Sequence, residues 1–127
     1  MNAIQSAREA LSRIAAYEAI QPEVWISRFS SDQVLAAAEA VDLRVAAGES
    51  LPLAGLTFAV KDNIDLSGLP TTAACPAFAY APGSSATVVE RLQAAGAVAV
   101  GKTNLDQFAT GLVGTRSPHG APACVFN

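Results

Sequence analysis

Two short runs of apolar residues, each followed by a lysine, constrain the fold more than any other feature of this sequence. Residues 56–60 read LTFAV and precede Lys61, and residues 97–100 read AVAV and precede Gly101 and Lys102. Continuous apolar runs of this length, bounded by glycine and polar residues, are typical of strands that are buried on both faces of a parallel sheet. Neighbouring parallel strands need a crossover connection, so the two runs predict a right-handed βαβ unit.

The connection between the two runs is expected to contain the crossover helix. The pattern predicts this helix over about residues 86–95, with Ser84 or Ser85 as its N-terminal cap and Gly96 at its end. Residues 62–83 form a long stretch rich in proline, glycine, threonine and alanine, and irregular connections of that length are often functional. Both lysines are then expected at or just past the carboxyl ends of parallel strands, where open α/β sheets bind ligands.

Two amphipathic helices are predicted before this unit. Apolar residues at helical spacing indicate a helix over about residues 3–19, which Pro22 ends. Ser30 and Gln33 have the spacing of a capping box at the start of a second helix, and Gly48 is suited to its C-terminal cap. We expect both helices to pack on the sheet, which makes the chain an α/β protein. A non-catalytic alternative is an interaction module in which these helices dock a partner or a second copy.

The amino-acid composition excludes several classes of partner and site. The net charge is −3, and the eight basic residues are never clustered, so nucleic acid is not expected as a partner. Charged residues interrupt the N-terminal segment, and no later stretch is long enough to cross a bilayer, so we expect a cytoplasmic protein without membrane contact. One histidine and two widely separated cysteines cannot form a zinc cluster, so we expect two reduced thiols and no structural zinc. The charged fraction of 15% is low for a free-standing domain, which favours a piece of a larger protein.

One formal motif match is misleading. Residues 96–103 read GAVAVGKT and fit the phosphate-binding pattern G-x-x-x-x-G-K-[ST]. A working phosphate loop follows a strand and turns its amides toward the ligand, whereas Ala-Val-Ala-Val favours a strand itself. Nucleotide binding is therefore the least favoured function.

Lys61 is the best candidate for chemistry. A lysine beside a buried strand loses hydration, which favours the neutral amine and allows it to act as a general base. The alternative is an ordinary surface lysine, and Asp62 and Asp65 would favour the charged ammonium if they touched it. Lys102 is a weaker candidate for a catalytic role. His119 has no acidic residue at a spacing that would indicate a partner for a catalytic histidine.

Two polar groups near these lysines have structural interpretations. Asn104 and Asp106 can cap the segment from residue 105 to 109. Ser84 and Ser85 are expected to be helix caps, so the chain offers a base without an evident nucleophile.

From residue 50 to 127 the chain resembles the amidase signature family of serine hydrolases. The matching stretches are PLAGLTFAVKDNIDLSGLPTTAACPAF and SSATVVERLQAAGAVAVGKTNLDQFATG, and GLVGTRSPHGAP with the upstream PEVWISRF resembles the allophanate hydrolase branch. The resemblance implies helices packed on a mixed, largely parallel sheet. It also implies that residues 1–127 are the N-terminal portion of one domain, with a helical segment over 1–50 and a strand-loop-helix-strand segment over 51–127 that carries the catalytic lysine.

The resemblance also implies a mechanism and a substrate. Family members cleave amides with a Ser-cisSer-Lys triad, whose lysine falls on Lys61, and Ala109, Thr110 and Gly111 would line the substrate pocket. Both triad serines would lie beyond Asn127, so we expect the 127 residues to be inactive alone. The implied substrate is a small-molecule amide, namely allophanate, which is cleaved to ammonium and bicarbonate, and the resemblance implies no metal or organic cofactor. Another amidase or a protein like the A-type component of glutamyl-tRNA amidotransferase is the alternative, and a homodimer of the full-length enzyme is left open.

Overall fold

The computed structural model describes residues 1–126 and has an α/β architecture, as predicted. Its helices are α1 (Ala3–Glu18), α2 (Ser31–Ala46) and α3 (Thr87–Ala94), and its strands are β1 (Trp25–Arg28), β2 (Thr57–Lys61) and β3 (Val98–Thr103). Short 3-10 turns lie at Pro22–Val24, Pro76–Phe78 and Gln107–Ala109. No helix of the described residues is both long and apolar enough to cross a membrane.

The three strands form one mixed sheet in the order β1-β3-β2. β2 and β3 are parallel neighbours, which confirms the predicted βαβ unit, and β1 pairs antiparallel with β3. Strand β1 was not predicted from the sequence, because its four residues are all half-buried and show no alternation of apolar and polar side chains. β3 extends through Lys102 to Thr103, so the strand is longer than the predicted run of residues 97–100, and Lys102 lies at its carboxyl end, as expected.

Local signals explain where the helices begin and end. The predicted capping box starts α2: the Ser30 side chain accepts from the Gln33 amide at 3.1 Å, and Gln33 Oε1 accepts from the Ser30 amide at 2.9 Å. Gly48 follows α2 with a φ of +95°, a conformation that glycine adopts without steric cost.

The predicted cap of α3 is wrong. Ala86 occupies the N-cap position, and no side chain caps the helix. The hydroxyl of Ser85 instead accepts from the amide of Ser67 at 2.9 Å, which ties the helix start to the long connection.

Two apolar clusters cover opposite faces of β3. Val98 and Val100 pack with the helical pair α1 and α2, in a cluster that includes Val34. Ala99 packs on the other side with Val60 of β2 and Val89 of α3. This arrangement explains why the strand reads as an unbroken apolar run, and it places the carboxyl ends of β2 and β3 side by side at one edge of the molecule.

Candidate active site

Lys61 is the last residue of β2 and is paired in register with Thr103 of β3. Its side chain is exposed, and it forms no ion pair with any residue that the structure describes. The expectation of a dehydrated amine is wrong for residues 1–126, because none of their elements covers this side chain. Lys61 thus has the accessible position that a reacting group requires, while the buried lysine of this chain is Lys102.

Lys102 and Asp62 form a buried ion pair directly behind Lys61. Both side chains are 0% exposed, and Lys102 Nζ lies 2.9 Å from Asp62 Oδ1. The ammonium also donates to the Pro70 carbonyl at 3.2 Å and to Thr71 Oγ1 at 3.3 Å. This pair was not predicted from the sequence, although a lysine that follows an apolar run so closely is a signal of burial.

Asp65, the second carboxylate near Lys61 in the sequence, is held by two hydroxyl groups. Tyr80 donates to Asp65 Oδ1 at 2.6 Å, and Thr71 donates to the same oxygen at 2.7 Å. The Tyr80 bond first, and then the Thr71 bond, lowers the pKa of Asp65, and the same contact raises the pKa of Tyr80. Asp62 and Asp65 therefore both have partners other than the Lys61 ammonium.

Two turns with strained backbone connect the Lys61 edge to the segment after β3. Ala73 and Ala74 have φ values of +50° and +59°, and Phe108 and Ala109 have φ values of +53° and +56°. The Ala73 amide donates to the Asp62 carbonyl at 3.0 Å, and the Phe108 amide donates to the Ala73 carbonyl at 2.9 Å. Left-handed backbone costs energy for residues other than glycine, and such strain is concentrated at functional sites.

The predicted pocket residues Ala109, Thr110 and Gly111 lie at the same edge of the fold. Ala109 and Thr110 are exposed, and the Thr110 carbonyl accepts from the Arg116 guanidinium at 3.1 Å. A β carbon on Gly111 would lie 2.3 Å from an oxygen of Asp106, so this position has no room for a side chain. The structure thus connects these residues to the Lys61 edge through the two strained turns, and their contact with substrate stays a prediction.

Asp106 organises the loop that follows. Its buried carboxylate accepts from the Arg116 amide at 2.6 Å and from the Gly114 amide at 3.0 Å. These bonds, the Arg116 amide first, hold the pKa of Asp106 below its ordinary value of 3.8. Both Asn104 and Asp106 were predicted to cap residues 105–109. Asp106 occupies the N-cap position of the turn at Gln107–Ala109 but its side chain makes no capping bond, whereas Asn104 accepts from the Leu105 amide at 2.9 Å.

The structure also places the other candidates from the sequence. His119 is exposed in a turn, where its amide donates to Ser117 Oγ, and the structure pairs it with no acid among residues 1–126. The residues of the phosphate-loop match form strand β3, so their backbone is committed to the sheet. An apolar cleft of about 370 Å³ lies between α2 and residues 97–99, at the opposite end of β3 from Lys102. Within the described range, no group of three potential metal ligands is present.

The sequence of this chain is similar to those of known proteins. A family model described as Amidase matches residues 8–127. A urea amidolyase from Saccharomyces cerevisiae is 58% identical over 103 residues, which cover 81% of this chain and 6% of that protein. The A-type component of a glutamyl-tRNA(Gln) amidotransferase from Synechococcus sp. is 45% identical over 87% of this chain and 23% of its own length.

A solved structure extends the comparison to three dimensions. A serine-to-alanine variant of Kluyveromyces lactis allophanate hydrolase superposes with a TM-score of 0.73 and 52% sequence identity. The match covers 83% of this chain and 17% of that structure. The chain therefore spans less than a quarter of the length of each of these three proteins.

Proposed function

The chain belongs to the amidase family, and on that premise we propose that it is part of a serine hydrolase that cleaves allophanate to ammonium and bicarbonate. The identity of 58% with a urea amidolyase supports this substrate, as does the similarity to an allophanate hydrolase structure. In this proposal, residues 1–127 are the N-terminal portion of one catalytic domain that acts in the cytoplasm, and the remaining portion supplies both serines of the triad.

The observation that carries the proposal is the accessible Lys61 amine at the carboxyl end of β2. Its two neighbouring carboxylates have other partners, so neither pairs with the ammonium among the described residues. As a neutral amine, Lys61 accepts a proton from the bridging serine, which in turn accepts one from the nucleophilic serine. The nucleophile then bonds to the amide carbon, the C–N bond breaks, and the proton returns along the same path to the leaving nitrogen. Water then hydrolyses the resulting acyl-enzyme, which releases the acid product and restores the serine.

The remainder of the enzyme has a second role in this proposal. Lys61 is exposed in the described chain, and a neutral amine is favoured only where water is excluded. We infer that additional strands cover the β2 edge and dehydrate the amine, and that Ala109, Thr110 and Gly111 form one wall of the resulting pocket. The low charged fraction of 15% is consistent with a surface that is partly covered. Here, the complete enzyme is the longer polypeptide that contains this chain and the serine loop. A homodimer of that enzyme is part of the same proposal.

Replacement of the lysine tests the proposed role. In the complete enzyme, Lys61→Met removes the proton acceptor, and we expect kcat for allophanate to fall about 10²–10⁴-fold. Lys61→Arg is a matched variant that keeps the charge but cannot be deprotonated, and it should be equally impaired. Arg13→Met, an exposed cation on α1, should retain normal turnover. Normal kcat in Lys61→Met would refute the assignment.

A different amide substrate is the nearest alternative. The 45% identity with the A-type component of a glutamyl-tRNA(Gln) amidotransferase favours a protein like that component, or another amidase of the family, as the second candidate. Ammonia release from allophanate, glutamine and simple aliphatic amides by the complete enzyme separates these functions. Turnover of glutamine or aliphatic amides without turnover of allophanate would favour the alternative.

The non-catalytic alternative has less support. The apolar faces of α1 and α2 contribute Ala3, Ala7, Val34 and Val41 to the cluster on β3. Surface that is already buried in this cluster cannot also bind a partner. These helices therefore support the sheet that presents Lys61.

A further inference from the structure

The Lys102–Asp62 pair is the most completely buried charged group of the described residues, and the proposed reaction does not use it. Both side chains are 0% exposed, and they belong to adjacent strands or their ends. Asp62 Oδ1 has no hydrogen-bond partner among the described residues apart from its ionic contact with Lys102. A buried carboxylate of this kind depends on the opposite charge beside it.

The remaining polar groups of Asp62 bind the parts of the fold that surround Lys61. Asp62 Oδ2 accepts from the Thr72 amide at 3.1 Å and from the Thr72 hydroxyl. The Asp62 amide donates to the Thr103 carbonyl at 3.1 Å, and the Asp62 carbonyl accepts from the Ala73 amide at 3.0 Å. Asp62 thus joins the end of β2, the end of β3 and the strained turn at Ala73 and Ala74.

Lys102 completes the same junction from the other strand. Its ammonium contacts the Pro70 carbonyl and Thr71 Oγ1 as well as Asp62, so it attaches the start of the turn to β3. Thr71 also donates to Asp65, which places the second carboxylate within this network. The ammonium is therefore surrounded by the groups that determine where residues 61–65 lie.

The position of the pair bears directly on Lys61. Successive residues of an extended strand point to opposite faces, so Asp62 points into the protein when Lys61 points outward. If Asp62 lost its buried partner, its carboxylate would be stabilised by turning toward the solvent and the adjacent ammonium of Lys61. That contact would favour the charged form of the amine and displace it from its position.

We propose that Lys102 is a positioning residue for Lys61: it holds Asp62 inside the protein, so that the Lys61 backbone is fixed and its amine keeps no carboxylate partner. The inference rests on the proposed function of Lys61 and deepens it. Greater stability is a weaker explanation, because a buried ion pair often stabilises a fold less than apolar residues of similar volume. The pair fixes this junction through bonds to the Pro70 carbonyl and Thr71 Oγ1, which apolar side chains would not make.

A double-mutant cycle in the complete enzyme tests this role. Lys102→Met should lower kcat for allophanate about 10²-fold, which is the loss that a misplacement of about 1 Å can cause, with little change in KM. In the Lys61→Met background, the same replacement should lower the residual rate no more than about twofold, because Lys102 acts through Lys61. Hydrogen exchange in residues 70–75 should be faster in Lys102→Met.

Two further variants separate position from stability. Val34→Ala truncates the core on the far side of β3, and it should lower the melting temperature while kcat at 25 °C stays normal. If Lys102→Met does not fold, the double variant Asp62→Asn/Lys102→Met removes both buried charges and is expected to fold. No carboxylate is then left at position 62 to pair with Lys61, so only the loss of fixed geometry should remain, with kcat lowered about tenfold and no further effect in the Lys61→Met background.

The outcomes distinguish the two proposals. Normal kcat in Lys102→Met, or in the neutral double variant where only that variant folds, overturns the positioning role. An equal loss of rate in both Lys61 backgrounds also overturns it, because the effect would not pass through Lys61. Normal turnover in Lys61→Met overturns the proposed function itself.

Discussion

Individual carboxylates in this chain are stabilised by different kinds of hydrogen-bond donor. Asp62 is paired with a buried ammonium, and Asp65 accepts from two hydroxyl groups. Asp106 accepts from backbone amides of its own loop, and Gly111 provides the space that its carboxylate occupies. The loop beside the predicted pocket is therefore held by one ionised side chain.

This dependence predicts acid sensitivity at Asp106. Its pKa in the folded state lies below the ordinary 3.8, so its stabilising contribution is complete above pH 3.8 and is lost as the pH falls through the lowered pKa. Asp106→Asn cannot ionise, so we expect a lower melting temperature than wild type at pH 6 and a smaller decrease below pH 3.8. Differential scanning fluorimetry of the complete enzyme from pH 2.5 to 6 measures both. The control Glu39→Gln, at an exposed position of α2, should have the same melting temperature as wild type at each pH. If the melting temperature of Asp106→Asn fell with pH as steeply as that of wild type, the prediction would be contradicted.

At the scale of elements, the contact between β1 and β3 depends on Gly101. A β carbon at this position would lie 2.7 Å from the Ser27 carbonyl oxygen and 2.9 Å from Arg28 Cα. These are backbone atoms of β1, so they cannot yield as a flexible side chain does. The glycine that completes the phosphate-loop pattern is therefore required by strand packing.

Gly101→Ala should accordingly separate β1 from β3. We expect the free energy of unfolding to fall by about 1–3 kcal/mol, as is usual when a methyl group is forced into a well-packed interior. Gly83→Ala is a matched control, because a β carbon there would meet no atom within 4 Å. Urea unfolding of the complete enzyme compares the two variants, and equal midpoints would disprove the steric explanation.

Elements with local signals could be predicted from the sequence. The capping box of Ser30 and Gln33 predicts the start of α2, and Gly48 predicts its end. The two apolar runs predict the parallel strands. The cap of α3 could not be predicted, because the Ser85 hydroxyl binds an amide in a connection that has no regular pattern.

The candidate site was predictable only in part. The position of Lys61 at a strand end follows from the sequence, whereas the buried partner of Asp62 lies 40 residues away on another strand. The left-handed conformations of Ala73 and Ala74 have no signal in the sequence, because alanine rarely adopts them. Tertiary contacts therefore determine the parts of the site that local patterns do not indicate.

At the scale of the whole molecule, the sheet of the described residues has two edges. β3 is central, so β1 and β2 each have one neighbour within residues 1–126. Ala59 is exposed on β2, and Leu56 just before the strand is 55% exposed. Unpaired edges with apolar side chains promote association between chains, and natural proteins protect such edges with charged residues.

We therefore expect the 127-residue chain, prepared alone, to self-associate through the β2 edge and to lack allophanate hydrolysis. Ala59→Lys places a charge at this edge and should shift the sedimentation profile toward the monomer. Ala46→Lys adds the same charge at an exposed position in the last turn of α2, and it should leave the profile unchanged. A wild-type chain that sediments as a monomer at micromolar concentration would show that the edge is protected without further strands. Association that Ala59→Lys does not reduce would place the contact at another surface.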